Sequence, residues 1–242
     1  MPGPGCEPVR CAARADPDSV EAVSKRRTVV GGGVAVEVPP DRLIGWVNRF
    51  AGRNDGLVDV STDGRTVTVR GGDGTAAVLA VPFAPMTTDG QEPLEALLTH
   101  LSGIGALGIV LVRGGAHSVG VAKAGVVLSS STDRAYLQGR TAAGGWSQQR
   151  FARRRDNQRT ASYDSAASTA ARVLVPVAGS LDGLVLGGDR RGLTDVLADH
   201  RLAALSDLST RSFPDIPEPR RVVLDDIAGR ALSVEIIIRA PQ

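Results

Sequence analysis

From Ser147 to Val173 the sequence has neither glycine nor proline, although the 242-residue chain contains 29 glycines and 14 prolines. Glycine leaves the backbone too free to hold a helix cheaply, and proline lacks the N–H that a helix interior uses. Their joint absence over so long a span predicts one long helix from about Ser147 to Val173. Such a helix has to lie on something broad and apolar, and the flanking sequence supplies strands.

Before it, "LEALLTHLSGIG" reads as a helix. "ALGIVLVRGG", "AHSVGVAKAG" and "VVLSSSTDRAYLQGRT" follow as strand candidates joined by short glycine-containing turns, the pattern of an antiparallel meander. After it, "LDGLVLGGD" is nearly all apolar, as a buried central strand is. "RRGLTDVLADHRLAAL" is expected as a helix, "PEPRRVVLDDIA" as a strand or short turn region, and "RALSVEIIIRA" as a closing strand or helix. Strands, helices and a further buried strand indicate an α/β (α+β) domain of two or three layers around a mixed sheet, over residues 92–242.

The preceding part has a different pattern. Val34 to Val38 reads as a strand ended by Pro39 and Pro40. A helix follows, with Leu43, Ile44, Val47 and Phe50 at helical spacing, Asp41 near its start and Gly52 near its end. "GRTVTVRGGDGTAAVLAVPF" alternates on both sides of a turn at Gly71 to Gly74 and predicts a β-hairpin. These make a small N-terminal α+β unit, residues 29–85, with no chemical motif. "PMTTDGQEP" is expected to separate it from the larger domain. Residues 1–28 are rich in proline, glycine and charge without a period, and are expected to be disordered or an extended appendage.

Only 3% of residues are aromatic while 42% are apolar, so the core is expected to be aliphatic and β-branched. The net charge of +2 gives no overall field that would call for a polyanionic partner; only local charge can argue for one. Cys6 and Cys11 do not make up a four-ligand metal set, and neither a zinc site nor a disulfide framework is expected. No apolar run approaches the ~20 residues of a membrane span, and the N-terminus lacks a secretory apolar region. A soluble, cytoplasmic, monomeric protein without cofactor is expected.

Local charge is concentrated at the start of the long helix. "GGWSQQRFARRRDNQR", Gly144 to Arg159, holds five arginines in sixteen residues. Helical numbering brings Arg150, Arg154 and Asn157 near one face with Arg153 and Arg155 beside them, Asp156 being the one acid nearby. Arg140 precedes the glycines and Arg159 closes the run. Like charges four apart destabilise a helix, and guanidinium groups pair bidentately with phosphates and stack on bases. An external polyanion, RNA, accounts for the run better than a solvated helix face does.

Gly144, Gly145, Ser147 and the segment Arg150 to Arg153, "RFAR", resemble in register the middle domain of the class-one eukaryotic and archaeal translation termination factors. There a Gly-Gly-Gln loop leads into an arginine-bearing helix. Trp146 stands where those factors keep their glutamine. The sequence is more similar to the Vms-like release factor (VLRF) family, peptidyl-tRNA hydrolases of ribosome quality control. Gly145, Trp146, Ser147 and Gln148 fit that family's Gly-x-x-Gln loop. The resemblance spans roughly residues 92–240 and leaves the N-terminal unit unexplained. The zinc finger and ankyrin repeats of the eukaryotic members have no counterpart, which suits a shorter, actinobacterial-type member.

This resemblance implies a release-factor middle-domain fold, ribonuclease H-like. It also implies a peptidyl-tRNA hydrolase that acts on stalled ribosomes or large subunits, with ribosomal RNA and peptidyl-tRNA as partners. The implied chemistry is attack of water on the ester carbonyl through an oxyanionic tetrahedral intermediate. Gln148 is the expected water-positioning residue, because a neutral amide can accept from and donate to water without a shifted pKa. Gln149 is the alternative, one residue of slippage away. Gly144 and Gly145 allow close backbone approach. Arg140, Trp146, Arg150, Arg153, Arg154, Arg155 and Arg159 are the expected RNA contacts.

Other features carry less. The glycines of "GGGVAV" and "RGGDGT" lack the context of a phosphate loop and read as turns. His100, His117 and His200 have no ligand spacing and read as satisfied or exposed. Ser129 to Ser131 with Asp133 read as a polar turn, and the paired acids Asp225 and Asp226 as solvated or helix-capping. The alternatives to hydrolysis are a non-catalytic ribosome or tRNA adaptor, motivated by Trp146, and a nuclease on a ribonuclease H-like sheet.

Overall fold

A computed structural model describes residues 27–28, 32–134 and 147–241, with the stretch 147–156 as helix backbone alone. The N-terminal extension, with Cys6 and Cys11, lies outside the described residues up to the short strand β1 (Arg27–Thr28). Then come β2 (Val34–Val38), α1 (Pro40–Arg53), β3 (Leu57–Thr62), β4 (Thr66–Gly71), β5 (Ala76–Ala80) and α2 (Pro93–Gly103). The meander β6 (Ala106–Arg113), β7 (Ala116–Lys123) and β8 (Val126–Arg134) leads to the long helix α3 (Ser147–Leu174). The chain continues through β9 (Leu181–Gly188), α4 (Arg190–Leu197), β10 (Thr210–Phe213), α5 (Arg221–Arg230) and β11 (Val234–Arg239).

Two sheets form among the described residues. The first runs β1-β2-β11-β5-β4-β3 with every neighbour antiparallel. Its strands alternate, so Val67 and Val69 of β4, Ala77 and Leu79 of β5, and Val234 and Ile236 of β11 turn to one face. Leu43 and Phe50 of α1 and Ala96, Leu97 and Leu101 of α2 cover that face. The β4–β5 turn falls at Gly71 to Gly74, where Gly74 has φ +85° and Asp73 accepts the Thr75 N–H at 2.8 Å.

The second sheet runs β10-β9-β6-β7-β8. The meander is antiparallel, whereas β9 lies parallel to β6 and β10 parallel to β9. The sheet is therefore mixed, and α3 is the crossover that returns the chain from the outer strand β8 to the central position beside β6. β6 is buried on both faces with period two. Val110 and Val112 pack under α3 and α4, while Leu107, Ile109 and Leu111 pack under α5. The result is three layers, helix on sheet on helix. Each such fully buried aliphatic side chain contributes about 1.5–3 kcal/mol.

Several expectations are corrected by the fold. "PEPRRVVLDDIA" is no strand: Val223, Leu224, Ile227 and Ala228 are buried at helical spacing on α5. Its acids are solvated, as expected, and do not cap it; Asp225 pairs with Arg221 and Asp226 with Arg230, each one helical turn away. The closing segment is a strand, β11, and it sits in the first sheet between β2 and β5 instead of beside the second. α2 likewise belongs to the first core. The single helix expected over "RRGLTDVLADHRLAAL" is α4 followed by a separate 3₁₀ segment, His200–Leu205. Asp199 breaks it, with extended backbone and a side chain that accepts the Arg201 N–H. Ser129 to Asp133 lie inside β8 and form no turn. β3 and β10 have no counterpart in the sequence reading.

Candidate functional site

α3 opens at Ser147, so Gln148 and Gln149 occupy its first turn and Arg150, Arg153, Arg154 and Arg155 its next two. Arg140, Gly144, Gly145 and Trp146 lie outside the described residues. The helix ends at Leu174 because Pro176 cannot continue it, and the chain tightens into a 3₁₀ turn, Val175–Ser180.

The helix is held by its second half. Residues 157–161 are exposed or half-buried, and the buried face begins at Ser162. Tyr163, Ala166, Ala167, Ala170 and Leu174 then face the sheet at spacings of three and four. The small alanines let the helix axis approach β7 closely. Leu174 touches the backbone of β6, where a Cβ added to Gly108 would stand 3.4 Å from Leu174 Cδ2.

Polar contacts fix its rotation. Ser162 Oγ donates to the Gly115 carbonyl at 3.1 Å, in the turn after β6. Arg172 Nη2 donates to Ser131 Oγ on β8 at 2.9 Å. His117 Nε2 and Thr169 Oγ1 are 3.0 Å apart, and His117 is 2% exposed. Burial lowers the His117 pKa, against the opposing charge of Asp133. The ring is therefore a neutral packing element, and its Nδ1 has no partner among the described residues. The other histidines also match their reading: His100 Nε2 meets the Pro82 carbonyl at 2.8 Å, and His200 is exposed.

Tyr163 ties α3 to the end of the central strand. Its hydroxyl donates to Asp189 Oδ2 at 3.1 Å, and Asp189 also accepts the Arg191 N–H at the start of α4. Burial, with the neighbouring Asp189 charge and that hydrogen bond, pushes the phenol up to about 12. α4 comes close enough that a Cβ on Gly192 would stand 2.7 Å from Tyr163 Cε1. Gly188 has φ +101°, and its missing side chain leaves room for the Val112 carbonyl that receives the Asp189 N–H at 2.7 Å. Asp189 closes "LVLGGD", the apolar run expected as a buried strand. Tyr163, which no sequence motif marks, is the aromatic lock between helix and strand.

Arg159 interacts electrostatically with Tyr163, one turn ahead of it on the same helix. Among the described residues no group of three or more His, Cys, Asp or Glu is arranged to hold a metal ion.

The fold and this helix define a mixed α/β protein organised around one long, arginine-rich crossover helix. The family model for the Actinobacteria/Chloroflexi VLRF1 release factor matches residues 105–237, from the approach to β6 into β11. That is more than half of the sequence, and the chain belongs to this family, which gives it a release-factor-like role in translation. Among curated proteins no match is found. Among solved structures, the Vms1 mitochondrial localization core aligns over 81% of this chain and 82% of its own, at 13% identity and a TM-score of 0.41. The archaeal translation termination factor aRF1 aligns over 76% of this chain and 61% of its own, at 14% identity and a TM-score of 0.29.

Proposed function

We propose that this protein is a ribosome-associated peptidyl-tRNA hydrolase that cleaves the ester between nascent chain and tRNA on stalled ribosomes or large subunits. The observation that carries this reading is the membership of residues 105–237 in a release-factor family, with "GGWSQQRFARRR" inside the matched span. In this reading Gly144 and Gly145 let the loop approach the ester, and Gln148 orients the attacking water with its amide. Arg140, Arg150, Arg153, Arg154, Arg155 and Arg159 hold phosphates of ribosomal RNA or tRNA, and Trp146 stacks there. No metal takes part. The hydrolase unit is built on the second sheet, and the first sheet, closed by β11, is a separate accessory unit.

The packed half of α3 supports the assignment. An ester placed by the ribosome has to be met by a loop of fixed position, and a helix locked at Ser162, Tyr163, Thr169 and Leu174 gives the loop a rigid base. The protein works in the cytoplasm, where peptidyl-tRNA is; no helix among the described residues is long and apolar enough to cross a membrane. It acts as a monomer.

Trp146 supports one second reading, a ribosome or tRNA adaptor that no longer hydrolyses. The nuclease alternative loses its paired acids, since Asp225 and Asp226 are engaged by Arg221 and Arg230 on α5. The deciding experiment is release of a labelled nascent chain from 70S and 50S complexes carrying peptidyl-tRNA. Release by the wild type that is lost in Gln148→Ala supports the hydrolase and its residue. Binding without release by the wild type assigns the adaptor.

A further inference from the structure

A cavity of about 660 Å³ lies where the first sheet meets β10, far in sequence from the arginine run. Its walls come from β2, the end of β5 through Ala84, β10, β11, Arg65 of the β3–β4 turn and Arg230 of α5. Four arginines line it against three carboxylates, and the pairing among them is uneven. Glu37 is taken by Arg230 through two contacts, at 2.7 and 3.2 Å. Glu235 is taken by Arg27. Arg65 and Arg211 form no ion pair among the described residues, and neither does the third carboxylate, Asp215.

Arg211 is the informative one. Its Nη1 donates to the Ala231 carbonyl at 2.9 Å, and its guanidinium lies 5.1 Å from the centre of the Phe213 ring, as does that of Arg230. One carbonyl and one aromatic face satisfy little of a group with five N–H donors. Burial pushes its pKa down to about 10, with nearby Glu37 and Glu235 opposing and Arg230 adding to the effect. A half-buried guanidinium without a carboxylate partner leaves N–H donors for something else to satisfy, and here it borders an open volume instead of being packed over. Proteins tolerate such a charge where a ligand completes it.

We propose that this cavity binds a small phosphate-bearing molecule of nucleotide size, held by Arg211 and Arg65. The planar fork of Arg211 matches two oxygens of one phosphate, and Arg65 brings a second positive charge to the same cavity. The volume falls within the range of small-molecule sites, about 300–1,000 Å³. The site is independent of the hydrolase reading, since none of its residues is on α3 or in the loop before it.

The test is thermal shift and calorimetry on the full chain without ribosomes, using ATP, GTP, pyrophosphate and inorganic phosphate as probes. The wild type is expected to be stabilised by at least one probe in proportion to its concentration. Arg211→Met is expected to weaken that probe about tenfold or more, and Arg65→Ala to weaken it less. The ligand-free Arg211→Met protein should melt close to the wild type, because the substitution keeps an apolar stem in place of the arginine's and removes a half-buried guanidinium that has no carboxylate partner. Equal affinity for pyrophosphate and ATP limits recognition to the phosphates, and a preference for a nucleotide extends it to the whole cavity; both support the site. No response of the wild type to any probe at millimolar concentration would overturn it. So would binding unchanged in Arg65→Ala, a readout that stands even if Arg211→Met fails to fold. Binding of single-stranded RNA through these arginines with no response to mononucleotides would overturn the small-molecule assignment.

Discussion

The two halves of α3 share one backbone and almost nothing else. Residues 147–161 carry Arg150, Arg153, Arg154, Arg155 and Arg159 against the single acid Asp156. Residues 162–174 present Ala166, Ala167, Ala170 and Leu174, all at most 2% exposed, to the second sheet. An isolated helix with so much like charge at its start is disfavoured, so the second half has to stabilise the first through tertiary packing. Stability and the proposed RNA contacts therefore fall on separable residues of one helix, and substitutions in the two halves should fail in opposite ways.

The largest expected effect on stability comes from Leu174→Ala. Leu174 is fully buried beside Leu181, Leu184 and Gly108, and its truncation leaves a cavity worth about 2–5 kcal/mol. Urea unfolding should report that loss, while the protein that remains folded at low temperature still releases nascent chains. Loss of release from folded Leu174→Ala would break the separation.

Gln148→Ala should do the reverse. Loss of one positioned polar group at a developing tetrahedral centre costs on the order of 10²–10³ in rate, with the unfolding midpoint unchanged. Gln149→Ala should leave release within a few-fold of wild type. If Gln149→Ala is the crippled variant, the register of the loop against α3 shifts by one residue and the comparison is sharpened.

How much of this was legible in the sequence depends on the half considered. The long helix, the meander and the buried strand "LVLGGD" were legible because period two, period 3.6 and continuous apolar runs are distinct signals there. α5 was not, because "VVL" is β-branched at its start and only the spacing of Ile227 and Ala228 behind it marks a helix. β10, "TRSF", is four residues with two polar positions and has no apolar pattern to read. The partner of β11 was not legible either: "VEIIIR" states that it is a strand, but its place between β2 and β5 is a contact across nearly 200 residues that no local pattern encodes. Of the site, the residue types of the arginine run were plain, whereas Tyr163, Asp189 and His117, which orient the helix, are ordinary residues until the fold brings them together.

A smaller effect is expected from Arg153→Ala, Arg154→Ala and Arg155→Ala combined. Ribosome binding should weaken and the slope of log affinity against log salt should flatten by about two, since each phosphate contact on a single strand contributes about 0.7. Unfolding should move by less than about 0.5 kcal/mol. An unchanged salt slope would place the RNA contacts elsewhere and remove the functional side of the comparison.

The smallest expected effect lies at the junction of the halves. Tyr163→Phe removes the hydroxyl that donates to Asp189 Oδ2 and should cost about 0.5–1.5 kcal/mol near neutral pH. The pH dependence identifies the group. Because the folded-state phenol is raised above its ordinary value of 10 to about 12, the folded protein holds that proton more tightly than the unfolded chain. Its contribution is complete below pH 10 and is lost as pH rises from 10 through about 12. Unfolding measured across that window should fall more steeply for the wild type than for Tyr163→Phe, all other titrations being common to both. Parallel curves would mean that Tyr163 is not the lock, and that Ser162, Thr169 and Leu174 alone set how α3 lies on the sheet.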